Sequence, residues 1–199
     1  MKMEGISLDA IAYSCLLKTF GSIKSLNKAM NLHKEIAKDC LLKEDLFLGT
    51  GVIDMYIKCG SLKEAHEVFD TMLVHDTVMW NALIGGYVQE NQCWNALKLF
   101  QEMKIEGVAT DSITLSSCMK ACGGVRNITK GRGIHVEIFN KGFETNVFLC
   151  SALVDMYVKW ESFAEAHIVF CSIHFRDIVT WNALLMGYVQ SGHFEKALH

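Results

Sequence analysis

Apolar residues recur along this chain at the spacing of an α-helix. Between residues 78 and 88 the positions i, i+3, i+4 and i+7 are occupied by Trp80, Leu83, Ile84 and Tyr87. This spacing predicts one amphipathic helix. The polar stretch QENQ (89–92) interrupts the pattern, and a second amphipathic segment, CWNALKLFQEMK, covers 93–104. Similar interruptions at KCGS (58–61) and QSGH (190–193) predict further helix–turn–helix hairpins.

The same pattern returns after 101 residues. VIDMYIKCGSLKEAHEVFD (52–70) reappears as LVDMYVKWESFAEAHIVFC (153–171), and WNALIGGYVQENQCWNAL (80–97) reappears as WNALLMGYVQSGHFEKAL (181–198). The opening MKMEGISLD also resembles MKIEGVATD (103–111). Self-similarity at a fixed offset is typical of repeat architectures. We therefore expect the chain to begin and end inside repeating units.

An aspartate or asparagine stands before each apolar helix start and divides the repeat further. These residues are Asp45, Asp76, Asp111, Asn146 and Asp177. The expected units are 10–45, 46–76, 77–111, 112–146, 147–177 and an incomplete 178–199, with 1–9 as the tail of a preceding unit. The complete units have 36, 31, 35, 35 and 31 residues, and one unit of 31 with two of 35 makes up the 101-residue period.

Three positions within the units carry residues suited to a core. The eleventh position is Tyr56, Tyr87, Tyr157 and Tyr188; the twentieth is Ala29, Ala65, Ala96, Gly131, Ala166 and Ala197; the twenty-fourth is Phe69, Phe100, Phe170, His33 and His135. A small residue at the twentieth position lets two helices approach closely. Because one short hairpin cannot bury its own apolar face, its neighbours must cover it. We predict an all-α fold, a right-handed α-solenoid with a concave inner surface.

These units resemble the pentatricopeptide repeat (PPR) family over the whole chain. The resemblance rests on WNALIGGYVQ, ALKLFQEMKIEGVATD, MKACGG and GRGIHVEIFNKGFETN, together with the alternating unit lengths. More narrowly, the chain is similar to the plant P-L-S subclass. Its long units are 10–45 and 112–146, its short units 46–76 and 147–177, and its P-type units 77–111 and 178–199. The resemblance implies that each unit reads one base of single-stranded RNA through two or three side chains.

The resemblance also assigns roles to positions within each unit. The fifth and last residues would select the base, and the second residue would pack against it. The base-selecting pairs are Ser14/Asp45, Thr50/Asp76, Asn81/Asp111, Ser116/Asn146 and Ser151/Asp177, with Asn182 unpaired. The base-packing residues are Ile11, Phe47, Val78, Ile113, Phe148 and Val179.

Two lysines follow the reading residues on the same helix face. The fifth, ninth and thirteenth positions of the short units are Thr50–Asp54–Lys58 and Ser151–Asp155–Lys159. Lys58 and Lys159 are therefore candidates for contacts with RNA phosphates. The alternative is that both are solvated surface lysines.

By the family's code, Ser or Thr with Asp favours G, Asn with Asp favours U, and Ser with Asn favours A, although long units follow the code poorly. The register implied for residues 46–177 is 5′-G-U-n-G-3′. The parent protein implied is a guide for C-to-U editing of RNA in a chloroplast or mitochondrion, working with editing-complex proteins. The chain shows neither transit-peptide character nor an editing domain, so we expect weak RNA binding and no catalysis from it alone.

Two departures from the family pattern suggest relaxed constraint. The usual proline near unit ends is absent, with Thr110 standing at one such site. The turn KCGS has become KWES at 159–162, which places Trp160 where a small residue is expected.

Other candidate chemistry is rejected on the residues. His135–Glu137 reads HVE, half of a zinc deaminase pattern, but the partner P-C-x-x-C is missing, and His135 occupies a packing position. The eight cysteines are scattered without a CxxC, which favours core thiols in a reducing compartment. Cys118 and Cys122 lie one helical turn apart, and burial is again the preferred interpretation. We expect no metal, no cofactor, no small-molecule substrate and no enzyme activity.

The net charge of the chain bears on the RNA-binding interpretation, and its hydropathy bears on membrane insertion. The net charge of −3 and pI near 6.2 argue against tight non-specific binding of nucleic acid, which depends on Lys and Arg. That charge favours an alternative, a protein–protein scaffold like the tetratricopeptide solenoids, although those keep a uniform period of about 34 residues. A third possibility is a gene fragment without function. No apolar run approaches the ~18 residues of a membrane span.

Overall fold

The computed structural model describes residues 10–38, 45–173 and 176–195, and all regular elements in these ranges are α-helices. The first helices of the units are α1 (Ala10–Ser22), α3 (Leu46–Lys58), α5 (Thr77–Gln89), α7 (Ser112–Val125), α9 (Val147–Lys159) and α11 (Ile178–Gln190). The second helices are α2 (Leu26–Lys38), α4 (Leu62–Thr71), α6 (Cys93–Ile105), α8 (Ile128–Asn140) and α10 (Phe163–Ser172). The expected tail 1–9 and residues 39–44 of the first long unit lie outside the described residues.

The periodic Asp or Asn begins the first helix of the next unit. Its side-chain oxygen accepts a hydrogen bond from a backbone N–H of the first turn. The pairs are Asp45 with Phe47 and Leu48, Asp76 with Met79, Asp111 with Thr114, Asn146 with Leu149, and Asp177 with Thr180. A cap of this kind stabilises a helix by about 0.5–2 kcal/mol. The repeated residue therefore has a folding role that does not depend on RNA.

A left-handed residue turns the chain between the two helices of each unit. The fifteenth residue has φ between 50° and 74° in every unit: Lys24, Gly60, Asn91, Arg126, Glu161 and Gly192. The next backbone N–H then donates to the carbonyl five residues earlier, as from Ser61 to Tyr56 at 2.9 Å. This closure is a Schellman motif, which satisfies carbonyls left open at the helix end.

The alternation of unit lengths lies in the second helices. Helices α2, α6 and α8 have 13 residues, whereas α4 and α10 of the short units have 10. A difference of this size is close to one helical turn. The longer helices α6 and α8 are followed by Gly107 and Gly142 with φ of 74° and 70°. A short unit therefore lacks the last turn of its second helix and this glycine stop.

The chain divides into two compact parts, Met1–Gly86 and Tyr87–His199, which we call the N-terminal and C-terminal parts. In the N-terminal part α3 packs against α1, α2 and α4. In the C-terminal part α9 packs against α7, α8, α10 and α11, and α7 also contacts α6 and α8. In each part neighbouring hairpins thus pack through their first helices, and the predicted stack of hairpins is confirmed within each part.

Most of the positions expected in the core are buried, although Tyr87 is only half-buried. The twentieth residue is fully buried at Ala29, Ala65, Ala96 and Ala166, and Gly131 is buried as well; Ala197 lies outside the described residues. The eleventh residues Tyr56, Tyr157 and Tyr188 are at most 5% exposed. In the described residues, the small residue expected at the twentieth position is therefore buried in every second helix.

Trp160 has a packing role that corrects the expectation of relaxed constraint. Its indole lies over Gly131 of α8, so that a Cβ atom on Gly131 would collide with the ring. The indole N–H donates to the carbonyl of Cys122 at 3.4 Å, and the ring meets Tyr157 edge-on at 5.6 Å. The large residue fits because the unit before it carries glycine instead of alanine at the twentieth position. Trp160 and Gly131 are a complementary pair.

Thr110, which stands where the family usually has proline, also makes contacts with the next unit. Its hydroxyl donates to Glu137 at 2.8 Å and accepts from the Lys141 ammonium at 2.7 Å. Lys104 also donates to Glu137 at 2.8 Å. Burial alone would raise the pKa of Glu137, but the hydrogen bonds from Lys104 and Thr110 outweigh it and the pKa is lowered. Thr110 thus ties the end of one unit to α8 of the next.

The prediction of core thiols is right for some cysteines and wrong for others. Cys118, Cys122 and Cys150 are buried, and burial raises the pKa of Cys122 to about 12. Cys15 and Cys171 are exposed because they lie on helix faces turned to solvent. Cys40 lies outside the described residues.

The two histidines at the twenty-fourth position pair with tyrosines of the next unit. His33 Nδ1 lies 3.0 Å from the Tyr56 hydroxyl, and His135 Nδ1 lies 2.8 Å from the Tyr157 hydroxyl. Both rings meet edge-on at about 5.6–5.7 Å. His135 therefore serves in packing between units, which explains HVE without catalysis. Burial lowers the pKa of both histidines below the ordinary 6.5.

We expect these histidines to make folding sensitive to mild acid. Because their folded-state pKa is lowered, their contribution to stability is complete above pH 6.5 and declines as pH falls below it. The urea midpoint of the wild type should therefore drop between about pH 7.5 and pH 5. The double variant His33→Phe/His135→Phe, which installs the residue of the other units, should drop less. Equal drops in the two proteins would contradict this assignment.

Candidate nucleic-acid interface

A large apolar side chain is exposed at the second position of every unit. The exposed fractions are 75% for Ile11, 64% for Phe47, 61% for Val78, 60% for Ile113, 80% for Phe148 and 60% for Val179. The adjacent third residues Leu48, Met79 and Leu149 are fully buried. The second residues therefore contribute little to the core, and their apolar character is available for a ligand.

The fifth residues lie on the same first helices, one turn further on. Ser14, Thr50, Asn81 and Ser116 are half-buried, Asn182 is exposed, and Ser151 is only 9% exposed. Five of the six thus present polar atoms to solvent, whereas Ser151 is recessed. Their spacing from the second residue is three positions, which keeps both on one helix face.

The structure brings together one of the predicted base-selecting pairs. In the short unit 147–177 the Ser151 hydroxyl lies 3.4 Å from a carboxylate oxygen of Asp177. Among the described residues, no hydrogen bond joins the side chains of Ser14/Asp45, Thr50/Asp76 or Ser116/Asn146. Asn81 and Asp111 belong to different parts of the chain.

Helix capping determines which polar atom of each unit-ending residue remains available. The caps use Oδ1 of Asp45, Asp76, Asp111 and Asp177. These caps leave the second carboxylate oxygen of Asp45, Asp76 and Asp177 as an acceptor. In Asn146 the cap also uses Oδ1, which leaves the NH₂ group as a donor. An aspartate thus offers an acceptor to a ligand, whereas Asn146 offers a donor.

The two candidate phosphate-binding lysines are held in place. Lys58 pairs with Asp54 at 2.6 Å and Lys159 with Asp155 at 2.8 Å. Their stems lie over glycines of the preceding long unit, because a Cβ on Gly21 would be 3.2 Å from the Lys58 stem and one on Gly123 3.1 Å from the Lys159 stem. Both side chains remain about half exposed, at 47% and 48%. Neither is a freely solvated lysine.

A groove of about 1010 Å³ lies in the C-terminal part, and residues from three units line it. Val179 and Asn182 of the last unit face Asp155 and Lys159 of the short unit across it. The turn of the preceding long unit adds Arg126. The groove therefore combines a second-position residue, a fifth-position residue and a candidate phosphate-binding lysine.

Arg126 is a groove residue that sequence reasoning missed. It occupies the left-handed turn position and pairs with Glu161 at 3.1 Å. The repeat pattern contained a signal, since Arg126 and Glu161 hold the same position in successive units. With Arg126 and Lys159 opposed by Glu161 and Asp155, the fixed charges of the groove balance. Attraction of a polyanion is correspondingly weak.

In the part of the chain that the structure describes, no group of three or more His, Cys, Asp or Glu side chains is arranged to hold a metal ion. None of the helices in those ranges is long and apolar enough to cross a membrane.

The fold matches solved structures of one repeat protein. The crystal structure of the pentatricopeptide repeat protein PPR10 in complex with an 18-nt psaJ RNA element superposes with a TM-score of 0.80 and 16% identity, covering 100% of this chain and 30% of PPR10. A crystal structure of PPR10 from maize matches with a TM-score of 0.74 and 19% identity, covering 98% of this chain and 29% of PPR10. The predicted α-solenoid fold of helix–turn–helix repeats is confirmed at this level.

Sequence comparisons lead to the same family. The PPR repeat family matches residues 75–124, and the PPR repeat matches residues 50–76 and 179–199. The Arabidopsis thaliana pentatricopeptide repeat-containing protein At3g09040, mitochondrial, is 35% identical over 96% of this chain. The A. thaliana protein At4g25270, chloroplastic, is 34% identical over 98%. The chain spans only 18% and 37% of these relatives. This chain belongs to the pentatricopeptide repeat family.

Proposed function

We propose that this chain binds single-stranded RNA, one base to each unit, along the faces that carry the second and fifth residues. The observation that carries the proposal is the largely exposed apolar residue at the second position of every unit, which contributes little to the core. Apolar side chains on either side of a base would sandwich it, as stacking surfaces do in other RNA-binding modules. The likeness to the RNA-bound PPR10 fold supports this assignment.

The capped unit-ending residues supply a physical basis for base selection. The carboxylate oxygen of Asp76 or Asp177 that the cap does not use would accept from the ring N–H of guanine or uracil. The free NH₂ of Asn146 would instead donate to a ring nitrogen acceptor, such as that of adenine. The fifth residue would then distinguish between bases that offer the same group to the unit-ending residue, as guanine and uracil both offer a ring N–H. This chemistry agrees with the register 5′-G-U-n-G-3′ for residues 46–177.

For the parent protein we propose a role as the specificity factor of organellar RNA processing, including C-to-U editing, in a chloroplast or mitochondrion. The alternating 13- and 10-residue second helices support assignment to the P-L-S subclass. The names of relatives that carry mitochondrial or chloroplastic location support an organellar parent. In this role the chain contributes binding, and partner proteins of the editing complex supply the chemistry.

RNA binding should be salt-dependent, and the two aspartates that pair with Lys58 and Lys159 should limit it. We expect the affinity of the full chain for an oligonucleotide containing GUAG to fall with salt, since each phosphate contact contributes a slope of about −0.7. The variant Asp54→Asn/Asp155→Asn frees both lysines. It should bind about three- to tenfold more tightly at low salt and steepen the slope by roughly one unit. Fluorescence anisotropy over a salt series measures both quantities.

A matched control changes the same charge away from the proposed RNA face. Glu67→Gln/Glu102→Gln removes two carboxylates that pair with lysines on the second helices α4 and α6. This variant should bind RNA as the wild type does. Equal gains in affinity from both double variants would mean that overall charge, and not the position of the freed lysines, governs binding. No RNA binding by any variant at low salt would favour the protein-scaffold alternative.

A further inference from the structure

An exposed apolar patch lies on the second helices α8 and α10 of the C-terminal part. Val136 and Phe139 of α8 are 59% and 68% exposed, and Ile168 of α10 is 68% exposed. The exposed residues Ala164 and Cys171 of α10 extend the patch. We call these five residues the outer patch. Because their side chains lie mostly in solvent, the core does not account for their apolar character.

An ion pair shows that the outer faces of the two helices adjoin. Arg132 of α8 pairs with Glu165 of α10 at 3.3 Å. Val136 follows Arg132 by one helical turn, and Ile168 follows Glu165 by one helical turn, so each shares a helix face with an ion-pair residue. The outer patch is therefore one surface that spans two helices. Contiguous exposed apolar surfaces of this kind often serve as interaction sites on folded proteins.

The equivalent helices of the N-terminal part have a charged outer surface. At four positions, counted from the start of each unit, α2 and α4 carry an exposed charged residue where the outer patch carries an uncharged one. Lys63 and Glu67 of α4 even form an ion pair at 3.7 Å. The equivalent residues are Lys34 and Val136, Lys63 and Ala164, Glu67 and Ile168, and Asp70 and Cys171. The second helices of this fold accept charge at these positions, so folding does not require the outer patch to be apolar.

The charge balance of the outer patch favours a second copy of this chain as its occupant. Helices α8 and α10 contain two cationic residues, Lys130 and Arg132, and two anionic residues, Glu137 and Glu165, so their side-chain charges cancel. In a twofold dimer the same surface meets itself, and a surface with net charge would repel its own copy. A neutral apolar surface is self-complementary, whereas it offers no electrostatic attraction to a strongly charged partner.

The size of this surface predicts a weak association. Helix α8 has 13 residues, which corresponds to a length of about 20 Å. Two packed helices are together about 20 Å wide. Their common outer face thus offers roughly 400 Å² to a partner, which is about half of what each side of a standard protein–protein interface buries.

We propose that two copies of this chain associate reversibly through the outer patch. The dissociation constant should be about 10–100 μM, as expected for an interface of this size. This association is separate from the proposed RNA binding, because it uses the second helices and leaves the second and fifth residues of each unit, on the first helices, accessible.

Sedimentation velocity of the full chain tests the proposal. A reductant is present so that the exposed thiols of Cys15 and Cys171 cannot cross-link copies. The wild type should change from monomer at about 1 μM to mostly dimer at about 200 μM. The variant Val136→Lys/Ile168→Lys places like charges on both sides of the contact and should raise the dissociation constant at least about tenfold. Because it brings the net charge of −3 closer to zero, stronger overall repulsion cannot explain a loss of association.

A matched control makes the same change on the first helices. Val78 and Val179 are 61% and 60% exposed, and Val78→Lys/Val179→Lys should associate as the wild type does. A milder variant, Phe139→Ala, installs the residue that stands at the equivalent position, Ala37. It should raise the dissociation constant about threefold or more. Equal melting temperatures verify that the variants are folded.

The outcomes separate this proposal from RNA binding. A wild type that stays monomeric at about 200 μM overturns the proposal and leaves the outer patch to a different protein. Wild-type association in both patch variants also overturns it, as does loss of association in the first-helix control. RNA binding is measured separately by fluorescence anisotropy, and the patch variants should retain it. A chain that dimerises through the outer patch and binds no RNA would contradict the proposed function alone.

Discussion

Replacing Trp80 with alanine should lower the free energy of unfolding by about 3–5 kcal/mol, the range for large aromatic side chains removed from a core. Trp80 is 1% exposed. Its ring meets Phe69 edge-on at 4.6 Å and His75 at 5.7 Å, and His75 stacks flat on Phe69 at 3.9 Å. The substitution would open a cavity in the centre of this aromatic cluster. Urea unfolding followed by circular dichroism measures the loss.

The repeat provides a matched control at the equivalent position. Trp181 also meets a phenylalanine at 4.6 Å, but it is 45% exposed. Trp181→Ala should therefore cost only about 1–2 kcal/mol, in proportion to the smaller area removed from water. Equal losses from the two substitutions would contradict the difference in burial described here.

The second large effect is expected at Gly131. Gly131→Ala adds one methyl group where the Trp160 ring already lies, so it should destabilise the protein by about 1–3 kcal/mol through overpacking. Alanine is nevertheless the ordinary residue at this position of the other units. The clash with the ring should therefore disappear when a small residue replaces Trp160. The Met156 sulfur, which would lie 2.8 Å from the added Cβ, belongs to a flexible side chain that can shift.

A double-mutant cycle isolates this dependence. Gly131→Ala combined with Trp160→Cys recreates the pair Ala29 and Cys59, which stands at the other junction between a long and a short unit. There the Cys59 thiol approaches the carbonyl of Phe20 at 3.9 Å, as the Trp160 indole approaches that of Cys122. The free energy of unfolding lost in the double variant should be smaller than the sum of the two single losses by at least about 1 kcal/mol. Simple additivity would show that the two residues are not complementary.

Much of the fold could be predicted from the sequence because each unit repeats the same local chemistry. Helical spacing, a capping Asp or Asn, and a small residue at the twentieth position act within about 35 residues and return in each unit. The helix starts at Leu46, Thr77 and Ile178 follow directly from their caps. Because these local determinants recur in each unit, they specify the helices and turns with little contribution from long-range contacts.

Other features depend on contacts between units and were not visible in one unit alone. Trp160 suggested relaxed constraint because its partner Gly131 is 29 residues away in the sequence. The ion pair of Arg126 with Glu161 and the hydrogen bond between the Ser151 and Thr180 hydroxyls likewise join successive units. The low exposure of Ser151 also involves the next unit, to which Thr180 belongs.

The central claim is that the fifth and last residues of a unit select one RNA base. The most direct measurement is the binding of Asn81→Thr, compared with the wild type, to RNAs that differ only in U or G opposite the unit 77–111. The control Asn95→Thr makes the same change on the second helix of that unit. The account predicts preference for U in the wild type and the control, and preference for G in Asn81→Thr. The same preference in all three proteins, with RNA binding intact, would contradict it.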